Sequence, residues 1–219
     1  MICYSIFNLS DLKCADVDFI RSKIQHHFTE KVNLKSAESV VSKAMLYLLL
    51  KLKFGLEDFI VDCDENGKPF IVGSELGFNI SHSGDMVMCV CSDCNVGCDI
   101  QRINPYNEKI VKRFFSASEI ELLNKCDDKA RVFTDLWCLK ESALKYSGEG
   151  ISGGLDRYDF SAYYNKGTFD LYNMRFCRVE LTDYIYAFCY SQFQKPFCEN
   201  NVEVINLNSY MKGEFYEHN

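Results

Sequence analysis

The nine residues Trp137-Cys138-Leu139-Lys140-Glu141-Ser142-Ala143-Leu144-Lys145 set one carboxylate and two ammonium groups beside an indole at helical spacing. At about 100° per residue, Trp137, Lys140, Glu141, Leu144 and Lys145 share an arc of roughly 140°. Trp137 and Leu144 are expected to bury, leaving Glu141 and the lysines at the boundary of the buried face. Taken alone, Glu141 and Lys145 read as an i,i+4 surface pair contributing about 0.2–0.5 kcal/mol. Val96-Gly97-Cys98-Asp99-Ile100-Gln101 offers a second carboxylate between apolar neighbours, where an unpaired charge is costly. By itself Asp99 reads as a strand-end residue capping a turn, with Gln101 on the same face two residues on. Phe78-Asn79-Ile80-Ser81-His82-Ser83-Gly84 places hydroxyls, an imidazole and backbone donors together, a set suited to phosphate oxygens. A Ser–His catalytic pair is disfavoured there, because adjacent residues of an extended chain point to opposite sides. A hard cation such as Mg2+ takes few protein carboxylates and completes its shell with phosphate oxygens, an arrangement that Asp99 and Glu141 could supply from separate elements. Together these pieces describe a metal ion held against a phosphate, with lysines steadying the charge.

Several elements must position these groups. Met1 to Phe7 reads as a first strand, 16–28 as a helix, and Ser36 to Phe54 as a longer helix stopped by Gly55. Phe59-Ile60-Val61 reads as a short strand and Asp64 to Pro69 as a turn. Strand-like runs at 78–81, 86–91 and 96–100, joined by short turns, are expected to form an antiparallel meander. Ser116-Ala117-Ser118-Glu119 fits a capping box ahead of helices at 118–125 and 128–146. A segment with Gly148, Gly150, Gly153 and Gly154 ends the second helix, and strands follow near 168–171, 176–181, 184–190 and 202–207. Strand, helices and strands thus occur twice, predicting an α+β fold of two α+β halves, 1–102 and 103–219, each an antiparallel sheet packed with helices.

Composition narrows the function classes. With 47% hydrophobic and 25% charged residues over 219 positions, the chain has ample core material for one large or two small domains. The net charge of −7 and the lack of any Lys/Arg cluster argue against nucleic-acid binding, while a few lysines around one pocket still suit a small polyanion. No apolar run reaches the ~18–20 residues of a membrane span. The N-terminus has neither a basic leader nor a small-residue cleavage site, so a cytoplasmic protein is expected. The twelve cysteines are accordingly expected as thiols. Cys89, Cys91, Cys94 and Cys98 have no standard ligand spacing, and Cys89 and Cys91 alternate within a strand-like run as core residues would; a metal–thiolate site is the competing reading.

Gly67-Lys68-Pro69, the Ser81-His82-Ser83 strand end, Gly97-Cys98-Asp99, Arg113-Phe114-Phe115 with Glu119, Lys140-Glu141 with Lys145, and Gly148-Glu149-Gly150 occur in that order. As a set, over roughly Ser36 to Asp156, they resemble the 4′-phosphopantetheinyl transferase superfamily in its larger, pseudo-dimeric, surfactin-synthetase-activating type. The resemblance implies transfer of the phosphopantetheine arm of coenzyme A to a serine of an apo acyl or peptidyl carrier protein, with release of 3′,5′-ADP, by a monomer whose two halves share one cleft. It implies Mg2+ held by Asp99, Gln101 and Glu141, Gln101 offering a carbonyl oxygen without charge, and catalysis by Glu141, Asp99 and Lys145. It implies coenzyme A contacts from Ser39, Lys68, Ser81, His82, Lys140 and Lys145. Gln101 stands where the best-known bacterial members carry Glu, and Glu38 stands near the place of an expected Arg. These two positions motivate an alternative expectation, a catalytically impaired member that binds coenzyme A or a carrier protein.

Overall fold

The structure is a computed structural model, and it describes residues 1–12, 16–150, 154–193 and 202–204. Along the chain its elements are β1 (Ile2–Asn8), α1 (Asp16–Ile24), α2 (Ala37–Phe54), β2 (Val61–Cys63), β3 (Pro69–Ile71), β4 (Gly77–Ser83), β5 (Met86–Ser92), β6 (Val96–Arg102), α3 (Glu108–Phe114), α4 (Ala117–Lys125), α5 (Lys129–Ser147), β7 (Thr168–Leu171), β8 (Met174–Glu180), β9 (Tyr184–Ser191) and β10 (Val202–Val204). They form two compact units, Met1–Val96 with β10, and Gly97 onward through β9. The fold is α+β, with largely antiparallel sheets packed with helices.

In the first unit the sheet order is β10-β1-β5-β4, with β2 and β3 as a separate ribbon. β5 pairs antiparallel with both β1 and β4. Helix α2 covers this sheet because its apolar positions repeat at helical spacing: Val41, Ala44, Met45 and Leu48 join a core with Cys3, Phe7, Val87, Cys89 and Cys91. Cys89 and Cys91 act there as small apolar residues. Ser36 caps α2 by accepting from the Ser39 N–H, and Gly55 ends it at φ +64°, a conformation that costs glycine little. Leu52, an apolar position of the same helix, is exposed.

One packing detail of this unit titrates. His27 is buried, its ring stacked on Phe59 at 4.4 Å and its Nδ1 3.0 Å from the Phe59 carbonyl oxygen. Burial lowers its pKa, with the Phe59 carbonyl opposing. The unfolded chain therefore binds this proton more readily. The stability contributed by neutral His27 is complete above its ordinary value of about 6.5 and is lost as pH falls through the lower folded value. Urea midpoints measured across that window are expected to fall toward acid in the wild type and to fall less in His27→Gln.

In the second unit the sheet order is β6-β9-β8-β7, with α3, α4 and α5 around it. The expected three-strand meander is therefore corrected: β4 and β5 form a hairpin, but β6 hydrogen-bonds to β9, and the Ile103 N–H continues the pairing to the Asp183 carbonyl. The last strand is corrected as well, since β10 pairs parallel with β1 in the first unit; the rest of that expected strand, 205–207, lies outside the described residues. Gly97 explains how β6 approaches α5 so closely. A Cβ there would collide with the backbone of Ser142 and Tyr146, atoms that cannot swing aside. Gly97→Ala is expected to destabilise by about 3 kcal/mol through overpacking, measurable as a drop in the denaturation midpoint.

Candidate active site

Helix α5 and strand β6 meet where glycine allows the closest approach, and that contact brings the charged residues together. Asp128 caps α5 by accepting from the Arg131 N–H at 3.0 Å. Two buried thiols fix the helix to the sheet: Cys138 Sγ donates to the carbonyl oxygens of Asp99 (3.3 Å) and Ile185 (3.5 Å), and Cys189 Sγ donates to that of Ser142 (3.3 Å).

Asp99 is not at a strand end. It lies within β6 with its side chain only 2% exposed, and Lys145 of α5 donates to its Oδ1 at 2.7 Å. Gln101, on the same face, donates from Nε2 to Oδ2 at 2.8 Å. The Lys145 side chain is 29% exposed. Burial opposes its charge most strongly, but Asp99, Cys98 and Glu141 together outweigh it and raise the ammonium pKa. Glu141, half-buried, has its carboxyl raised by burial and then by the like charge of Asp99, with Lys145 opposing. Asp99, Glu141, Lys145 and Gln101 thus lie in one neighbourhood of α5 and β6.

Two carboxylates close enough to raise the pKa of one of them are a pair that a divalent cation would relieve. No cluster of three or more His, Cys, Asp or Glu able to hold a metal occurs among the described residues. A cation here would therefore draw most of its oxygen ligands from water and from a bound phosphate, which fits Mg2+ and its reluctance to dehydrate.

Lys140 is a correction. Expected to contact a donor phosphate, it is 0% exposed and pairs with the fully buried Glu119 at 2.9 Å. Its ammonium also donates to the carbonyl oxygens of Leu155 (3.0 Å) and Tyr158, and it sits 5.4 Å from the Phe115 ring centroid. All three donors of the ammonium are committed. Burial lowers its pKa, with Glu119 opposing. Glu119, which the sequence marks as a capping residue and as part of the ordered motif set, does cap α4: its Oε2 accepts from the Ser116 N–H, and its Oε1 accepts from the Phe160 N–H at 3.0 Å. One carboxylate thereby ties α4, α5 and the chain following α5 together. Helical spacing gives no signal for a cation in a core, which is why Lys140 was placed at the surface.

The remaining expected residues lie in the first unit. Ser39, nearly buried, donates its hydroxyl proton to the Asn33 carbonyl oxygen. Lys68, in the turn between β2 and β3, donates to Asn95 Oδ1 at 3.2 Å. Ser81 and His82 alternate on β4, Ser81 buried and His82 exposed. The Glu38 carboxyl is held below its ordinary value chiefly by a hydrogen bond from Ser36, with a smaller contribution from His82. The position of an expected cation thus carries an anion.

Residues 95–189 match the family model of the 4′-phosphopantetheinyl transferase superfamily. The chain is similar to the 4′-phosphopantetheinyl transferase psf-1 of Bacillus pumilus, 39% identical over 106 residues (47% of this chain, 46% of that protein). It is also similar to the 4′-phosphopantetheinyl transferase gsp of Aneurinibacillus migulanus, 36% identical over 132 residues (58% and 55%). A third relative is the 4′-phosphopantetheinyl transferase Sfp of Bacillus subtilis (strain 168), 40% identical over 104 residues (46% and 46%). The chain spans about half the length of the curated relatives it matches. The stretch matched by the family model contains the whole of the Asp99–Gln101–Glu141–Lys145 arrangement, and over these residues the chain is similar to the 4′-phosphopantetheinyl transferase superfamily.

Proposed function

We propose that this protein is a 4′-phosphopantetheinyl transferase that moves the phosphopantetheine arm of coenzyme A onto a serine of an apo acyl or peptidyl carrier protein. The observation that carries the reading is the buried Asp99 carboxylate, held by Lys145 and within the field of Glu141. In the reaction the serine oxygen bonds to the phosphorus that bears the pantetheine arm, the bond from that phosphorus to the 3′,5′-ADP oxygen breaks, and the serine proton leaves. Glu141 is the base that takes this proton, since a carboxyl held above the ordinary range is a better acceptor than a free one. Lys145 offsets charge on the diphosphate, and its pairing with Asp99 keeps it protonated and aimed. Asp99 and Glu141 would hold Mg2+, with Gln101 at its edge; when bound, the cation supplies Lewis-acid polarisation of the diphosphate. Lys68 and the exposed His82 are the first-unit residues suited to contacts with the donor's nucleotide and phosphates, whereas Ser39 and Ser81 are buried. We place the protein in the cytoplasm, acting as a monomer on coenzyme A and a carrier protein; no helix among the described residues is long and apolar enough to cross a membrane.

Coenzyme A titrated calorimetrically with and without Mg2+, alongside chromatographic detection of 3′,5′-ADP, separates this function from a binding module. Mg2+-dependent binding with ADP formed only when the carrier retains its serine is the expected result. Coenzyme A binding that ignores Mg2+ and gives no ADP with any apo carrier supports the non-catalytic module instead.

A further inference from the structure

Gln101 touches Asp99 through its nitrogen, the end of the amide that cannot ligate a cation. Its Nε2 donates to Oδ2 at 2.8 Å while the Lys145 ammonium donates to Oδ1 at 2.7 Å, so both oxygens of Asp99 are held. The contact is built into the strand, because residues 99 and 101 lie two apart on one face of β6. A planar amide with its nitrogen turned to Asp99 presents its oxygen on the other side. Gln101 there borders a hollow of about 210 Å³, lined also by Arg102, Asn104, Asn107, Phe133 and Trp137. Turning that oxygen toward a cation beside Asp99 and Glu141 would break a charge-assisted bond to a buried carboxylate. A carboxylate at position 101 could not donate to Asp99 at all, and would set a third negative charge against two that already repel.

We infer that Gln101 is a positioning residue and not a metal ligand: it holds Asp99 in place and keeps the site at two carboxylates. The site then binds a divalent cation weakly alone, and firmly only with an anionic donor that completes the oxygen shell. Cation and donor are thereby coupled, each raising the affinity for the other by the same factor. The inference rests on the reading of the donor as coenzyme A, whose diphosphate supplies the missing oxygens.

Mn2+ titrations followed by the electron paramagnetic resonance signal of the free ion test it on the whole chain, for wild type, Gln101→Glu and Gln101→Met, each without and with coenzyme A. Because affinity follows the number of charged ligands, Gln101→Glu without coenzyme A is expected to bind Mn2+ at least about 10-fold more tightly than wild type. With coenzyme A, Gln101→Met is expected to stay within about threefold of wild type, since no ligand has been removed and Lys145 still holds Asp99. Wild type binding Mn2+ alone as tightly as Gln101→Glu overturns the inference. So does a loss of about 10-fold or more in Gln101→Met with coenzyme A, which would make the amide oxygen a ligand. If coenzyme A leaves the Mn2+ affinity of the wild type unchanged, the donor reading and the coupling fall, while the comparison of wild type with Gln101→Glu in metal alone still decides the role of Gln101.

Discussion

Asp99→Asn is expected to lower the turnover number for phosphopantetheine transfer by about 10²–10³-fold, the loss seen when one preorganised charge is removed from a site where charge develops. The substitution keeps the shape of the side chain, so the fold should persist, but asparagine can accept only one of the two hydrogen bonds that Lys145 and Gln101 donate to the carboxylate. Two effects combine. Lys145 loses the partner that aims its ammonium and raises its pKa, and one of only two carboxylates available to a cation disappears. Stability is expected to fall by about 1–3 kcal/mol, because one donor to a side chain only 2% exposed loses its acceptor. Turnover measured beside the thermal midpoint checks both halves of the expectation. A variant that transfers at the normal rate removes Asp99 from the reaction.

The largest effect on stability is expected from Lys140→Met, about 3–5 kcal/mol, because it strands Glu119 as a buried charge without its cation. Both side chains of the pair are 0% exposed. The carbonyl oxygens of Leu155 and Tyr158 also lose a donor, and each adds to the cost if left unsatisfied. Glu119→Gln/Lys140→Met should be less damaging than the sum of the two single substitutions, since each removes the penalty left by the other. Urea denaturation of the four proteins of the cycle measures the coupling. Additive losses would mean that the ion pair is incidental, and that Lys140 matters only through its carbonyl contacts.

What could be read from the sequence follows what each residue needs from its surroundings. The capping box at Ser116 and the long helices were legible because their signals are local: a cap residue, a periodic apolar stripe and a glycine stop. Asp99, Glu141 and Lys145 were legible as a set because their motifs occur together in one order, although each alone reads as an ordinary surface or turn residue. Helix α3 went unread, since it has seven residues and a mostly charged sequence, and only the Asn107 cap marks it. The pairing of β6 with β9 was not legible either. Short turns on both sides of 86–92 suggest a meander, whereas pairing across more than 80 residues depends on Gly97 yielding space to α5. Lys140 was misplaced for the complementary reason: its partner Glu119 lies 21 residues away, and its carbonyl partners lie beyond the end of its own helix.

Intact-mass spectrometry of apo acyl and peptidyl carrier proteins incubated with this protein, coenzyme A and Mg2+ tests the central claim most directly. The account predicts that at least one carrier gains the mass of a single phosphopantetheine arm, on its serine, and that the gain disappears when that serine is replaced by alanine or when Glu141 is replaced by glutamine. A folded protein that binds coenzyme A yet leaves every carrier at its apo mass would contradict it.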